Sequence, residues 1–309
     1  MIDALQFWLA RAFMAFFATI PHGWALAIGR GLGALCFHVL RLRRKVVMAN
    51  LRHVLGGTRS EAELVEIARQ AYRSFGMTFA EILRWSSPGS NAYEADVEIE
   101  HLERFRELWR EKRPVIFAVP HYGNFDLGAY AFHAPGFRVH VVMKPVKSER
   151  FNRLIVETRE KHHLHMVLTG GGGVFEGLEA HLRAGGWAAM LPDQNAKARG
   201  VTVDWLGKPA SIFKGPAQLA LATGAQLVMG ALRRRPEDPR RHFLHMTFLE
   251  KRAPSGDPEA DVKAYTQAIA DAVKDVVLRD PGQYFWFHRL WGKHVAAGIA
   301  PPASSAPAR

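Results

Sequence analysis

From about residue 97 onward, short apolar runs alternate with longer stretches of helical periodicity, and this constrains the fold more than any other feature. The candidate strands are 115–119, 138–143, 165–168, 187–191, 226–232 and 243–249. The candidate helices are 101–111, 125–133, 149–162, 174–184, 213–223 and 258–278. Strand–helix–strand repetition predicts an α/β fold: a mostly parallel central sheet flanked by helices.

In open parallel sheets, ligands bind beyond the carboxyl ends of the strands. The notable polar residues fall at those ends: His121 after the first candidate strand, Lys144 after the second, the run Gly170 to Gly173 after the third, and Asp193 with Gln194 after the fourth. The glycine run reads as a flexible turn into the next helix, because no Gly-Lys-Ser/Thr follows it as a nucleotide loop requires. The first of these ends carries a His-x4-Asp pair, a spacing that alone is a weak motif. Val115 to Val119 runs into Pro-His121-Tyr-Gly-Asn-Phe-Asp126. Residues five apart on one helix point about 140° apart and cannot touch. His121 on a turn and Asp126 in the first turn of a helix capped by Asn124 can meet, and Gly123 gives the turn its freedom. The expectation is that Asp126 accepts from one imidazole nitrogen and leaves the other as a general base. No serine nucleophile is required if a substrate hydroxyl attacks, and no Gly-x-Ser-x-Gly elbow is present. Plainer readings exist. His121 and Asp126 could be a loop histidine beside a capping aspartate. Lys144 could be a solvated loop lysine, Arg159 a solvent-facing charge, and Asp193 a turn cap after Pro192.

Upstream, residues 4 to 20 are almost wholly apolar with Arg11 as the only charge, a helix of roughly 26 Å. Trp24 to Leu40 is a second apolar run, broken by Arg30 and followed by Arg41-Leu-Arg-Arg-Lys45. Basic residues flanking apolar segments favour a cytoplasmic membrane face and attract anionic headgroups. The expectation is a membrane-associated helical segment over 1–45, spanning the bilayer or lying in its interface, with a buried helix pair as the alternative. A signal peptide fits poorly, since Asp3 precedes the apolar run and no Lys or Arg does. Residues 60 to 85 show the spacing of an amphipathic helix, opened by a Ser60/Glu63 capping box. A loop is expected at 86–90, an α/β domain over 46–293, and a disordered Ala/Pro/Ser-rich tail over 294–309.

The net charge of +12 implies an acidic partner: nucleic acid, an anionic membrane or a phosphorylated substrate. No basic low-complexity arm occurs, which argues against nucleic acid. A single cysteine, Cys36, excludes a disulfide framework and a thiolate metal site. His162, His163 and His165 lack a nearby carboxylate or cysteine at ligand spacing, so no metal is expected. The run Gln283-Tyr-Phe-Trp-Phe-His-Arg-Leu-Trp291 is expected to pack the last element onto the core, with Trp286 and Trp291 alternatively at a membrane boundary.

With these residues in view, the chain resembles the bacterial lipid A late acyltransferases, the lauroyl/myristoyl transferase family within the His-x4-Asp/Glu lysophospholipid acyltransferase superfamily. It also resembles their relatives that acylate phosphatidylinositol mannosides. The blocks are His121-Tyr-Gly-Asn-Phe-Asp126, Lys144-Pro145 with Arg159, Asp193-Gln194, Trp205-Leu-Gly207, Gly215-Pro-Ala-Gln-Leu-Ala220 with Thr223-Gly-Ala225, and Gln283 to Arg289. The resemblance implies an inner-membrane enzyme with its active site on the cytoplasmic face. It implies a fatty acyl donor, acyl-carrier protein or acyl-CoA, a glycolipid acceptor and no cofactor. His121 would be the base and Asp126 its partner. Arg159 and Asp193 would be substrate-site residues, and Asn124, Lys144 and Gln194 are further expected substrate contacts. Many lipid A members carry glutamate where this chain has Asp126, which leaves the acceptor open: a lipid A precursor, a phosphatidylinositol mannoside, a lysophospholipid or an aminolipid. Two further classes stay open, a non-catalytic binder of anionic lipid and a sugar-nucleotide glycosyltransferase using Asp193.

Overall fold

The computed structural model describes residues 2–86, 96–161, 164–252, 255–292 and 295. The expected loop at 87–90, His162, His163 and all of the tail except Val295 lie outside the described residues. A seven-stranded sheet forms the centre, in the order β1-β9-β8-β2-β5-β3-β4. Its strands are β1 (Asp96–Ile99), β2 (Val115–Ala118), β3 (Val139–Met143), β4 (His165–Leu168), β5 (Trp187–Met190), β8 (Gln226–Arg234) and β9 (Arg241–Phe248). All neighbouring pairs are parallel except β8 with β9. β2 lies between β8 and β5, and all four of its residues are buried, as expected for an inner parallel strand covered on both faces. Helices α5 (Leu102–Arg110), α6 (Phe125–Ala131), α7 (Glu149–Lys161), α8 (Val174–Arg183), α9 (Gly215–Thr223) and α10 (Pro258–Arg279) match the expected ones within about two residues.

Three strands and one helix escape the periodicity reading. β1 is a short edge strand with alternating exposure. β6 (Val201–Trp205) and β7 (Lys208–Ile212) form a separate hairpin. Its turn residues Leu206 and Gly207 both have positive φ, 57° and 83°, as a two-residue turn between twisted strands requires. Helix α3 (Arg44–Leu55) begins inside the basic segment that reads from sequence only as a flank. The chain reverses there through Arg41 and Arg43, both left-handed.

Four helices form a layer at the N-terminal end: α1 (Ile2–Thr19), α2 (His22–His38), α3 and α4 (Glu61–Trp85). Ser60 and Glu63 make the expected capping box at the start of α4. Helices α2 and α4 meet backbone to backbone. A Cβ on Gly29 would lie 2.5 Å from the Gly76 carbonyl oxygen, and one on Gly33 would lie 2.1 Å from that of Tyr72. Phe17, Ala25 and Leu26 face inward, while Trp8 and Trp24 stay 64% and 70% exposed. Among the described residues no helix is long and apolar enough to cross a membrane, so the spanning form of the N-terminal expectation has no helix to carry it. The apolar residues of α1 and α2 are divided between the core and an outer face.

The C-terminal aromatic run is held down by its own backbone carbonyls. Asn50 donates to Trp286 and His288, Arg43 to Phe287, and Asn195 to Leu290. Trp286 and Trp291 are buried, which corrects their membrane-boundary alternative: their rings are taken up by the core.

Candidate active site

The carboxyl ends of β2, β5, β3 and β4 lie side by side, so the polar residues that follow them converge. Strands β2 and β5 pair with Ala118 opposite Met190. The Val119 N–H continues the ladder to the Met190 carbonyl at 2.9 Å. His121 and Asp193 each lie three residues past that pair, and they meet. The Asp193 carboxylate accepts from the His121 backbone N–H at 2.7 Å and contacts its Nδ1 at 2.6 Å. A carboxylate only accepts, so Nδ1 carries a proton and Nε2 is the nitrogen left to act as a base.

This corrects the expected partner. The carboxylate on the His121 imidazole is Asp193, not Asp126, and Asp193 is a buried partner of that ring. Asp126, in the first turn of α6, is salt-bridged to Arg159 on α7. The physical reason is sheet order: a neighbouring parallel strand delivers Asp193 alongside the loop, while α6 turns Asp126 toward α7. Burial alone would raise the Asp193 carboxyl pKa, but the His121 ring and backbone N–H outweigh it and hold the group below its usual range.

The turn between them is rigid. Gly123 has φ +54°, and a Cβ there would fall 1.9 Å from the Leu232 carbonyl oxygen. Its N–H donates to Gln283 at 2.9 Å, so it is not available for a developing oxyanion. Its carbonyl accepts from Thr78 at 3.0 Å. Asn124 caps α6, accepting from the Leu127 N–H at 3.1 Å, and donates to Glu81 at 2.7 Å. It is fully buried, with both ends of its amide taken up by protein, which corrects its expected place among substrate contacts.

Sequence reasoning missed what lies beneath this turn. Glu81 is fully buried on α4 and binds Arg234 of β8, Asn124 and His22 together. Burial would raise its pKa, but the Arg234 guanidinium dominates the opposing contributions and holds it at about 2. A glutamate out of phase with α4's polar face was the available signal. Tyr284 and Trp205 support Asp193: the Trp205 indole donates to the Tyr284 hydroxyl at 3.3 Å, and burial and Asp193 together push that hydroxyl well above its ordinary pKa.

His121, 12% exposed on its side chain, opens onto a cavity of about 670 Å³. Asp126, Lys144, Arg159, Gln194 and Arg199 provide its polar lining. The rest runs along the sheet face between Phe117, Phe132, Leu164, Leu232 and Met246. Lys144, Arg159 and Gln194 are thus gathered as expected, and Arg199 joins them unforeseen. Among the described residues no group of three or more His, Cys, Asp or Glu could hold a metal ion. The arrangement is an oriented imidazole beside cations at the mouth of an apolar slot. It can activate a hydroxyl next to a bound hydrocarbon chain.

Residues 1–293 match the family described as bacterial lipid A biosynthesis acyltransferase. The chain is 25% identical to the lipid A biosynthesis lauroyltransferase of Escherichia coli, over 91% of this chain and 90% of that one. It is 21% identical to the palmitoleoyltransferase of the same organism, over 91% and 89%. It is 26% identical to the phosphatidylinositol mannoside acyltransferase of Mycobacterium tuberculosis over 57% of this chain, and the match spans only about half, 54%, of that relative. The family match covers nearly the whole chain, including the His121 loop, the Asp193 strand end and the Gln283–Trp291 run: the protein belongs to the bacterial lipid A biosynthesis acyltransferase family.

Proposed function

We propose that this protein is a membrane-surface O-acyltransferase. It moves a fatty acyl chain from a thioester on acyl-carrier protein or CoA to a hydroxyl of a glycolipid, and a lipid A precursor is the favoured acceptor. The observation that carries this reading is the Asp193–His121 pair at the mouth of an apolar cavity. His121 Nε2 takes the proton of the acceptor hydroxyl as its oxygen attacks the thioester carbonyl. The tetrahedral intermediate collapses by breaking the carbon–sulfur bond, and the imidazolium returns the proton to the departing thiolate. The ester and a free thiol are the products. Asp193 holds the tautomer and stabilises the imidazolium. Lys144 and Arg199 line the same cavity and would serve the oxyanion and phosphates of donor or acceptor, and the apolar cavity takes the acyl chain.

Membrane association is supported by the outward Trp8, Phe13, Phe16 and Trp24 and by the basic Arg41–Lys45 segment. The proposed location is the cytoplasmic face of the inner membrane. A phosphatidylinositol mannoside is the second acceptor reading, favoured by the mycobacterial relative and by aspartate at position 126. His121→Ala should lower thiol release from an acyl thioester by about 10²–10⁴-fold while the protein stays folded. Full activity in that variant rejects the mechanism. Mass spectrometry of the lipid product from lipid A precursor and mannoside acceptors, offered side by side, separates the two.

A further inference from the structure

Acyl transfer from a thioester to a lipid acceptor needs room for two sets of hydrocarbon, and one cavity accounts for the donor only. A second apolar groove, of about 680 Å³, lies against the C-terminal aromatic run. Leu32 and Cys36 of α2 form one wall, Phe75 and Phe79 of α4 another, and Phe285 and Phe287 the base. Three observations tie it to the reaction. First, it reaches the site from behind: His288 lines the groove, and its ring centroid is 5.3 Å from that of His121, which lines the first cavity. Second, His288 Nε2 is buried and has no hydrogen-bond partner among the described residues. Burial is the main reason this imidazole is held toward its neutral form, the Asp193 charge opposing, and its unpaired ring nitrogen can take up one hydrogen bond with a hydroxyl. Third, Arg43 stands in the lining, within the basic Arg41–Lys45 segment, and the wall residues Leu32 and Phe79 are 43% and 49% exposed, continuous with the apolar outer face of α1 and α2.

We propose that this groove holds an acyl chain already carried by the acceptor lipid, with the anionic part of its headgroup on the Arg41–Lys45 segment and its hydroxyl delivered at the seam between His288 and His121. The assignment rests on the acyltransferase reading and divides the hydrocarbon between two places: donor chain along the sheet, acceptor chain under the helical layer. An acceptor that stays in a bilayer then enters from the apolar face, while a water-borne thioester enters past Lys144 and Arg199. The chemistry selected is a hydroxylated, anionic lipid bearing at least one fatty chain.

Cys36 makes the groove testable, because it is the only cysteine in the chain and lines the wall. The rate of its alkylation by a small maleimide is measured on the full chain. Dihexanoyl phosphatidylglycerol, kept below its micelle concentration, is the acceptor-like probe, and lauroyl-CoA is the donor probe. At about ten times its dissociation constant the phospholipid should slow labelling roughly tenfold. Lauroyl-CoA should leave the rate unchanged. Protection by lauroyl-CoA, or none by the phospholipid, overturns the assignment. A second measurement uses Cys36→Trp and Leu32→Trp, which fill the groove. Both should raise the acceptor KM several-fold and leave acceptor-independent hydrolysis of the thioester intact. Loss of that hydrolysis in a folded variant would give the groove to the donor and end the proposal. If no thioester is cleaved under any condition while phospholipid still protects Cys36, the transfer reading falls and the lipid groove stands.

Discussion

Two buried carboxylates set the character of two regions only a turn apart. Asp193, at the carboxyl edge of the sheet, gives both oxygens to His121 and leaves the imidazole with one nitrogen to offer. Glu81, at the junction of α4 with β8, is bound by Arg234, Asn124 and His22, so that charge is used up inside the protein. Both carboxyls are held ionised against burial, by different means: an imidazole and a backbone N–H in one case, a guanidinium in the other. Ionisation in a core is therefore no mark of chemistry by itself. What separates the regions is the open side of His121, which faces a cavity.

The most direct way to break this contrast is to mutate each carboxylate. Asp193→Asn keeps the shape but can favour the wrong His121 tautomer. Turnover should fall about 10²–10⁴-fold with little change in melting temperature, measured by thiol release and calorimetry. Asp126→Asn, which leaves Arg159 partly unpaired but His121 oriented, should cost clearly less turnover. Equal losses in the two variants would restore Asp126 as the imidazole's partner.

Glu81→Ala should do the reverse. It leaves the buried Arg234 guanidinium uncompensated, and stability should fall by about 3–5 kcal/mol in denaturant titration. The surviving folded fraction should keep more turnover than Asp193→Asn. A Glu81→Ala protein as stable as the parent would show that the network contributes nothing net.

Acid sharpens the comparison further. His242, packed beside Glu81, is buried with neither ring nitrogen hydrogen-bonded among the described residues. Burial pulls its pKa from 6.5 to about 4, the Glu81 charge opposing only in part. The unfolded chain therefore takes up this proton first, so the contribution of His242 is full above about pH 6.5 and is lost as the pH falls toward 4, at up to about 1.4 kcal/mol per unit. Glu81 acts in a lower window: its folded pKa is depressed, so its contribution is present above about pH 4.5 and is lost toward 2. His242→Phe should make the melting-temperature profile less steep between pH 6.5 and 4, where His140 and His288 also titrate. An unchanged slope would assign the acid sensitivity to other groups.

The smallest expected effect lies in the cavity proposed for the donor chain. Gly230 lines it, and a Cβ there would already sit 3.1 Å from the Met246 sulfur and 3.9 Å from a Val119 methyl carbon. Gly230→Val should shift preference toward shorter acyl thioesters by several-fold, read from kcat/KM across a chain-length series. No shift would place the donor chain elsewhere.

Much of the fold was legible because local chemistry repeats along the chain. Apolar runs such as Val115–Ala118 read as inner strands, the Ser60/Glu63 box announced α4, and the polar residues after β2, β3 and β5 could be assigned to one edge from the alternation alone. Edge strand β1, the β6–β7 hairpin and α3 were not legible. They are short, half-exposed or polar at their start, and tertiary contacts decide them.

The sequence by itself determined that an imidazole stands at the end of a buried strand with cations and carboxylates near it. Which carboxylate it meets was decided only in three dimensions. Asp126 is five residues away along the chain and Asp193 is 72, and the nearer one lost, because adjacent parallel strands bring their ends together whatever the sequence distance between them. The same holds for Glu81 and Arg234, 153 residues apart. Periodicity fixes what a segment is. The order in which strands pair fixes whom its side chains touch, and no local pattern encodes that order.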